Sequence, residues 1–252
     1  MIIDADTHIT PTGEGIFIEE LISRMERAGI DKALTWLQPP YMREINELNS
    51  YIYKATKIYP DRILGFGWAD PNLGVEKAID MVKRCVYDYG FYGVKMNGAQ
   101  NNYFIDDPKK ALPVIEEIAK TGKILAFHVG ADAYEHTHPF RVGKIAKIYP
   151  QMNILMVHMG GAGMPNLSRA AVEVAREYKN ITLIGSAVSS KDILRAIKEL
   201  GAKRVCFGSD TPFQPMHVEL AKYNALLDGE VNDEEKHDIM AGNIARLFGI
   251  DV

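Results

Sequence analysis

Eight short apolar runs, separated by amphipathic stretches, constrain this 252-residue chain more than any other feature. They are "IIDADTHI" (2–9), "KALTWL" (32–37), "ILGFGWA" (63–69), "GVKMN" (93–97), "ILAFHVG" (124–130), "ILMVHMG" (154–160), "ITLIGS" (181–186) and "RVCFGSD" (204–210). Each has the length of a buried strand, and the intervening segments carry helical periodicity. Val75, Ala78, Ile79, Val82 and Val86 recur on one helix face, with Gly90 placed to end that helix in a left-handed conformation. Gly29 and Gly122 punctuate the stretches 17–28 and 112–121 in the same way, and Pro108 and Pro113 suit helix starts. Eight strand–helix repeats in a chain of this length give a single α/β domain over residues 1–252, a (β/α)8 TIM barrel. A doubly wound sheet is the main alternative, but it would not bring all eight strand ends together.

A barrel places its chemistry at the C-terminal ends of the strands. The polar residues of the runs gather there: Asp6 and His8, Lys95 and Asn97, His128, His158, Ser186, and Ser209 with Asp210. Three of the seven histidines thus end apolar runs. Strand alternation further predicts that Asp4, Asp6 and His8 share one face. Such a face is costly to bury unless a cation compensates it. Imidazoles and carboxylates with no sulfur nearby suit a divalent metal, zinc first, with manganese, iron, cobalt or nickel as alternatives. The absence of cysteine ligands favours an open catalytic site over a closed structural one.

Composition narrows the partners. A net charge of -4 without basic clusters gives no footprint for nucleic acid, so a small-molecule substrate is expected. Cys85 and Cys206 lack paired spacing and fit reduced core positions. With no signal-peptide pattern at the start of the chain and no apolar stretch long enough to span a bilayer, a cytoplasmic protein without a membrane partner is expected. A symmetric homo-oligomer is the expectation for a barrel enzyme.

Several of these segments, in this order, resemble the amidohydrolase superfamily, in particular the amidohydrolase-related branch that also contains aminocarboxymuconate-semialdehyde and resorcylate-type decarboxylases. The pieces are "IDADTHI", "RILGFGWADP" (62–71), "GFYGVKMN" (90–97), "ILAFHVG", "NILMVHMGGAGMP" (153–165), "FGSDTPF" (207–213) and "IMAGNIARLFGI" (239–250). The resemblance implies metal ligation by Asp6, His8, His128 and Asp210. It also implies a ligand or catalytic role for His158, and a proton-transfer role for Asp210. Superfamily hydrolases usually carry His-x-His on the first strand, whereas Asp6 occupies the first of those positions here; relatives with an acid there include decarboxylases. Lys95 falls where binuclear members carry a bridging carbamylated lysine, and otherwise pairs with Asp6 or Asp210 or binds an anionic group. The first expectation is therefore a metal-dependent hydrolase of a small amide, ester or lactone. The alternative is a non-oxidative decarboxylase of a small aromatic or unsaturated carboxylic acid. Asn97, His138 and Trp68 are candidates for substrate contact or support of the ligands. Specificity is expected in the loops 38–48, 97–108, 131–140 and 211–216.

Overall fold

The computed structural model describes residues 1–13, 15–38 and 45–251. Part of the expected specificity loop 38–48 therefore lies outside the described residues. Among the described residues, nine parallel strands form two sheets. The first contains β1 (Ile3–Ile9), β2 (Lys32–Leu37) and β3 (Ile63–Gly65). The second contains β4 (Gly67–Trp68), β5 (Gly93–Met96), β6 (Ile124–His128), β7 (Ile154–Val157), β8 (Ile181–Ile184) and β9 (Val205–Cys206), paired in chain order. Eight runs give nine strands because the third is interrupted at Phe66, whose N–H donates to Thr35 O at 3.0 Å. At the far edge, Ala5 N donates to Phe207 O (3.0 Å), Asp210 N to Asp6 O (2.9 Å) and His8 N to Thr211 O (2.8 Å). Main-chain bonds thus join β1 to the segment after β9. This is an α/β fold of parallel sheets of the TIM-barrel-like kind.

The helices bury one face each, as their periodicity requires. In α1 (Ile18–Ala28), Ile18, Leu21, Ile22 and Met25 are buried, and Gly29 ends the helix at φ 75°. Such a φ is open to glycine at little steric cost. The predicted helix around residue 78 is α2 (Val75–Lys83), and it continues as a π-turn over Arg84–Asp88 that carries Val86. The 112–121 stretch is α3 (Ala111–Thr121), with Pro113 in its first turn. Cys85 and Cys206 are free and buried.

Two apolar layers result. The larger packs helices against strands. The smaller lies among the strands, with Ile3, Ala5, Leu34, Phe66, Leu155 and Val157 among its members, and Phe248 near the C-terminus closes over it. Phe248 stacks on Tyr92 at 4.4 Å between ring centroids. Among the described residues no helix is long and apolar enough to cross a membrane.

One local irregularity decides the site. Ile3 and Asp4 pair with Lys32 and Ala33, but Thr7 and His8 pair with Thr35 and Trp36, so the register shifts between Asp4 and Thr7. Such a β-bulge adds a residue to one strand and re-aims the side chains beyond it. The expectation that Asp4, Asp6 and His8 share a face fails for this reason: simple alternation does not survive a bulge.

Candidate metal centre

Asp6, His8 and Asp210 converge, each offering a ligand atom within 4.8 Å of the others. His8 Nε2 lies 3.4 Å from Asp6 Oδ1 and 3.6 Å from Asp210 Oδ1. His8 Nδ1 bonds Leu37 O at 2.8 Å, which places the proton on Nδ1 and leaves a lone pair on Nε2. Trp36 Nε1 donates to that same nitrogen at 3.0 Å, so an ion and the indole N–H compete for one lone pair.

Asp6 is the hub. Its Oδ2 accepts from Ser186 Oγ at 2.5 Å, and Ser186 Oγ lies 3.0 Å from His158 Nδ1. The carbonyl of Ser186 also meets His158 Nδ1 at 3.2 Å. Lys95 Nζ stands 3.9 Å from Asp6 Oδ1, with both side chains fully buried. It lies 3.6 Å from the centroid of the Trp36 ring and 5.4 Å from that of Trp68, so two aromatic faces and one carboxylate hold the ammonium. His128 packs edge-to-face on His158, with ring centroids 4.7 Å apart.

The electrostatics arise from this burial. Burial would raise the Asp6 carboxyl, but Lys95, His8 and His158 together hold it below the usual carboxylate range. Burial draws Lys95 down to about 8 against the pull of Asp6 and Asp210. His128 is pushed well below 6.5 by burial, reinforced by His158 and Lys95, and is therefore neutral at neutral pH. For His8, burial and Lys95 lower the pKa, but the neighbouring carboxylates of Asp210 and Asp6 outweigh them and raise it.

A divalent ion fits these residues. Asp6 Oδ1 and His128 Nε2 are buried without a hydrogen-bond partner, as is Lys95 Nζ. Buried polar atoms normally find partners, and an ion between the carboxylates and imidazoles would supply one. His158 and Asp210 both adopt left-handed backbone, at φ 62° each. Non-glycine residues persist in that region only where surrounding structure fixes them, commonly at functional sites.

Other expected residues lie apart from the cluster. Asn97 caps the short helix Gly98–Asn101, its side chain accepting from Gln100 N. His138 caps the helix Pro139–Ile148 by accepting from Phe140 N, and it lines a surface hollow of about 320 Å³ with Tyr134 and Arg141. Trp68 donates its indole N–H to Asn101 Oδ1 at 3.0 Å and meets the site through Lys95. Asp4, fully buried, accepts from the amides of Asp6 and Ser209, and burial pushes its carboxyl up to about 7 against those bonds. Phe213 is a neighbour of His8 that sequence reasoning did not single out, whereas Ser186 and Trp36 were expected at strand ends without named partners. Phe213 packs edge-on against His8 at 5.4 Å between ring centroids and is half exposed. Ser186 ends the seventh apolar run, but nothing local in the sequence names its partners.

The family model for amidohydrolase matches residues 3–250. A 2-amino-3-carboxymuconate-6-semialdehyde decarboxylase of Dictyostelium discoideum is 25% identical, over 86% of this chain and 69% of that protein. A gamma-resorcylate decarboxylase of Rhizobium radiobacter is 24% identical, over 90% of this chain and 85% of its own length. The crystal structure of a dihydroxybenzoic acid decarboxylase from a Polaromonas species, with bound manganese and the inhibitor 2-nitroresorcinol, superposes with a TM-score of 0.79 at 18% identity, covering 98% of this chain and 96% of that one. The chain belongs to the amidohydrolase family and is a metal-dependent enzyme of that superfamily.

Proposed function

We propose that this enzyme is a metal-dependent non-oxidative decarboxylase of a small aromatic or unsaturated carboxylic acid. The observation that carries the reading is the buried charge set. Asp6 and Asp210 together cancel one divalent ion, which leaves fully buried Lys95 as an uncompensated cation. An anionic carboxylate substrate cancels it; a neutral amide, ester or lactone does not. The decarboxylases among its relatives support the same class, so decarboxylation displaces hydrolysis, which the sequence suggested first.

Asp6, His8, His128 and Asp210 would hold the ion. When bound, the ion supplies Lewis-acid stabilisation of negative charge on the substrate. The mixed carboxylate and imidazole donors accept manganese as well as zinc, so both belong in the first reconstitution. Asp210, the most exposed of the four with 13% of its side chain accessible, moves the proton. With substrate bound, the Asp210 carboxylate takes a proton from solvent and passes it to the carbon that bears the substrate carboxylate. The bond between those carbons breaks, its electron pair stays with the substrate, and carbon dioxide leaves. One proton is consumed and no water. Both hydrogen bonds of His158 use Nδ1 as the donor, which leaves the Nε2 lone pair to accept from a substrate hydroxyl. Lys95, 3.9 Å from Asp6, would offset the substrate carboxylate as its ammonium counter-ion. We further propose that the two sheets close as one eight-stranded barrel, supported by the bonds from β1 to the segment after β9 and by the Phe66 bond across the interruption.

The experiment is reconstitution with manganese or zinc, then parallel incubation with hydroxybenzoic and unsaturated acids and with amides and lactones, in water enriched in heavy oxygen. Carbon dioxide released in step with product, with no heavy oxygen in that product, is the expected result. Heavy oxygen in the product without carbon dioxide release would return the enzyme to the hydrolases.

A further inference from the structure

Asp4 is fully buried and lies outside the convergent set of Asp6, His8 and Asp210. Its Oδ1 accepts two main-chain N–H groups, from Asp6 at 3.1 Å and from Ser209 at 2.8 Å. These amides sit on different segments, each carrying or adjoining a candidate metal ligand. The first lies within the β1 bulge, where the register shift disrupts the ladder. The second lies beyond the end of β9, one residue before Asp210. Asp210 N in turn donates to Asp6 O at 2.9 Å. One carboxylate oxygen therefore spans the junction at which both acidic ligands are presented, and it satisfies amides that the sheet leaves over.

We propose that Asp4 is a positioning residue for the metal centre, clasping the β1 bulge to the Ser209–Asp210 turn and thereby fixing the separation of Asp6 and Asp210. The inference rests on the reading of Asp6, His8, His128 and Asp210 as ligands. What the clasp requires is an acceptor at Oδ1. Asparagine keeps that acceptor, and leucine of similar size removes it.

The test measures the dissociation constant for Mn²⁺ alone, by competition with a chelating dye, on full-length wild type, Asp4→Asn and Asp4→Leu, with melting temperatures taken in chelator. Asp4→Asn should bind within about threefold of wild type, and Asp4→Leu roughly 10- to 100-fold more weakly, as for groups that orient metal ligands. A purely structural role would lower the melting temperature of Asp4→Leu and leave its metal affinity unmoved, which overturns the proposal. Equal weakening in both variants also overturns it, because the acceptor geometry would then not matter. Wild type that binds no Mn²⁺ defeats the ligand assignment itself, an outcome separate from either. Should Asp4→Leu not fold, amide hydrogen exchange decides: slow exchange at Asp6 and Ser209 in both wild type and Asp4→Asn supports the clasp, and fast exchange at either amide in wild type overturns it.

Discussion

Lys95→Met keeps the reach of the side chain and removes its charge. Nζ lies 3.9 Å from Asp6 Oδ1 with both side chains wholly buried. At an effective dielectric of about 20, unit charges at that distance attract by about 4 kcal/mol. This agrees with the roughly 3–5 kcal/mol lost when one partner of a buried pair is deleted and the other stranded. Metal-free Lys95→Met should therefore be about 4 kcal/mol less stable than metal-free wild type, a fall of roughly 10 °C in Tm for a chain of this size. A bound ion gives Asp6 a second positive partner, so the metal-loaded variant should keep most of the wild-type stability. By linkage the variant must then bind metal more tightly than wild type does. The assay is urea unfolding near neutral pH, where Lys95, with its pKa lowered to about 8, is still charged. Measurements are made in chelator and in saturating Mn²⁺. On the substrate side, affinity for a carboxylate should drop by at least about tenfold, or 1.4 kcal/mol. Equal destabilisation with and without metal, or none in either state, would refute the charge argument on which the proposed reaction rests.

His158→Asn keeps a polar group beside Ser186 but removes the imidazole; turnover should fall roughly 10²-fold or more while metal content, measured by mass spectrometry, stays at the wild-type level. Ser186→Ala strips Asp6 of a donor and His158 of a partner, and should cost about 1.5–3 kcal/mol in the urea midpoint comparison, the range for hydrogen bonds to charged groups. His128 is neutral when folded and takes a proton below 6.5 when unfolded, so the unfolded chain binds more protons as pH falls under that value. Metal-free wild type should lose stability from 6.5 downward and show no contribution from this group above it. His128→Gln should flatten that slope in melts taken between about pH 5 and about pH 8.

The alternation of runs was readable because strands and helices bury faces with different periods, and the ends of the first and eighth runs bring Asp6, His8 and Asp210 together, with His158 3.7 Å from Asp6 and His128 packed on His158. The interruption of the third run was not readable, since its cause is tertiary. A Cβ on Gly65 would stand 2.7 Å from the Phe91 ring, and one on Gly67 2.6 Å from Cys85 Sγ. Packing from the next strand-helix unit thus decides where that strand breaks. The bulge in β1 was invisible for a similar reason: Asp4 alternates correctly with Asp6 along the sequence, and only the Ser209 amide, 205 residues away, shows which way it turns. Asn97 and His138 carried a local signal that the barrel argument overrode. Each precedes a short helix, and His138 stands directly before Pro139, a placement that favours capping over ligation.

The strand ends share one further property with a measurable consequence. After β6, β7, β8 and β9 the chain turns through left-handed non-glycine residues: Ala131 and Asp132, His158 and Met159, Ala187, and Asp210. For His158 and Asp210 the proposed reaction uses the side chain, so on that reading the strain, about 1–3 kcal/mol for a residue in a sparsely populated region, accompanies function. Ala187, at φ 54°, has only a methyl group and sits beside Ser186, partly exposed. Ala187→Gly relieves a left-handed penalty of about 1–2 kcal/mol. It adds unfolded-chain entropy worth roughly 0.5–1 kcal/mol. The net expectation is a gain of about 0.5 kcal/mol at unchanged metal affinity, read from urea midpoints at fixed metal occupancy. A loss of more than about 1 kcal/mol would mean that the methyl group packs against the Ser186 turn and that the left-handed backbone there is held by contacts rather than endured for the site.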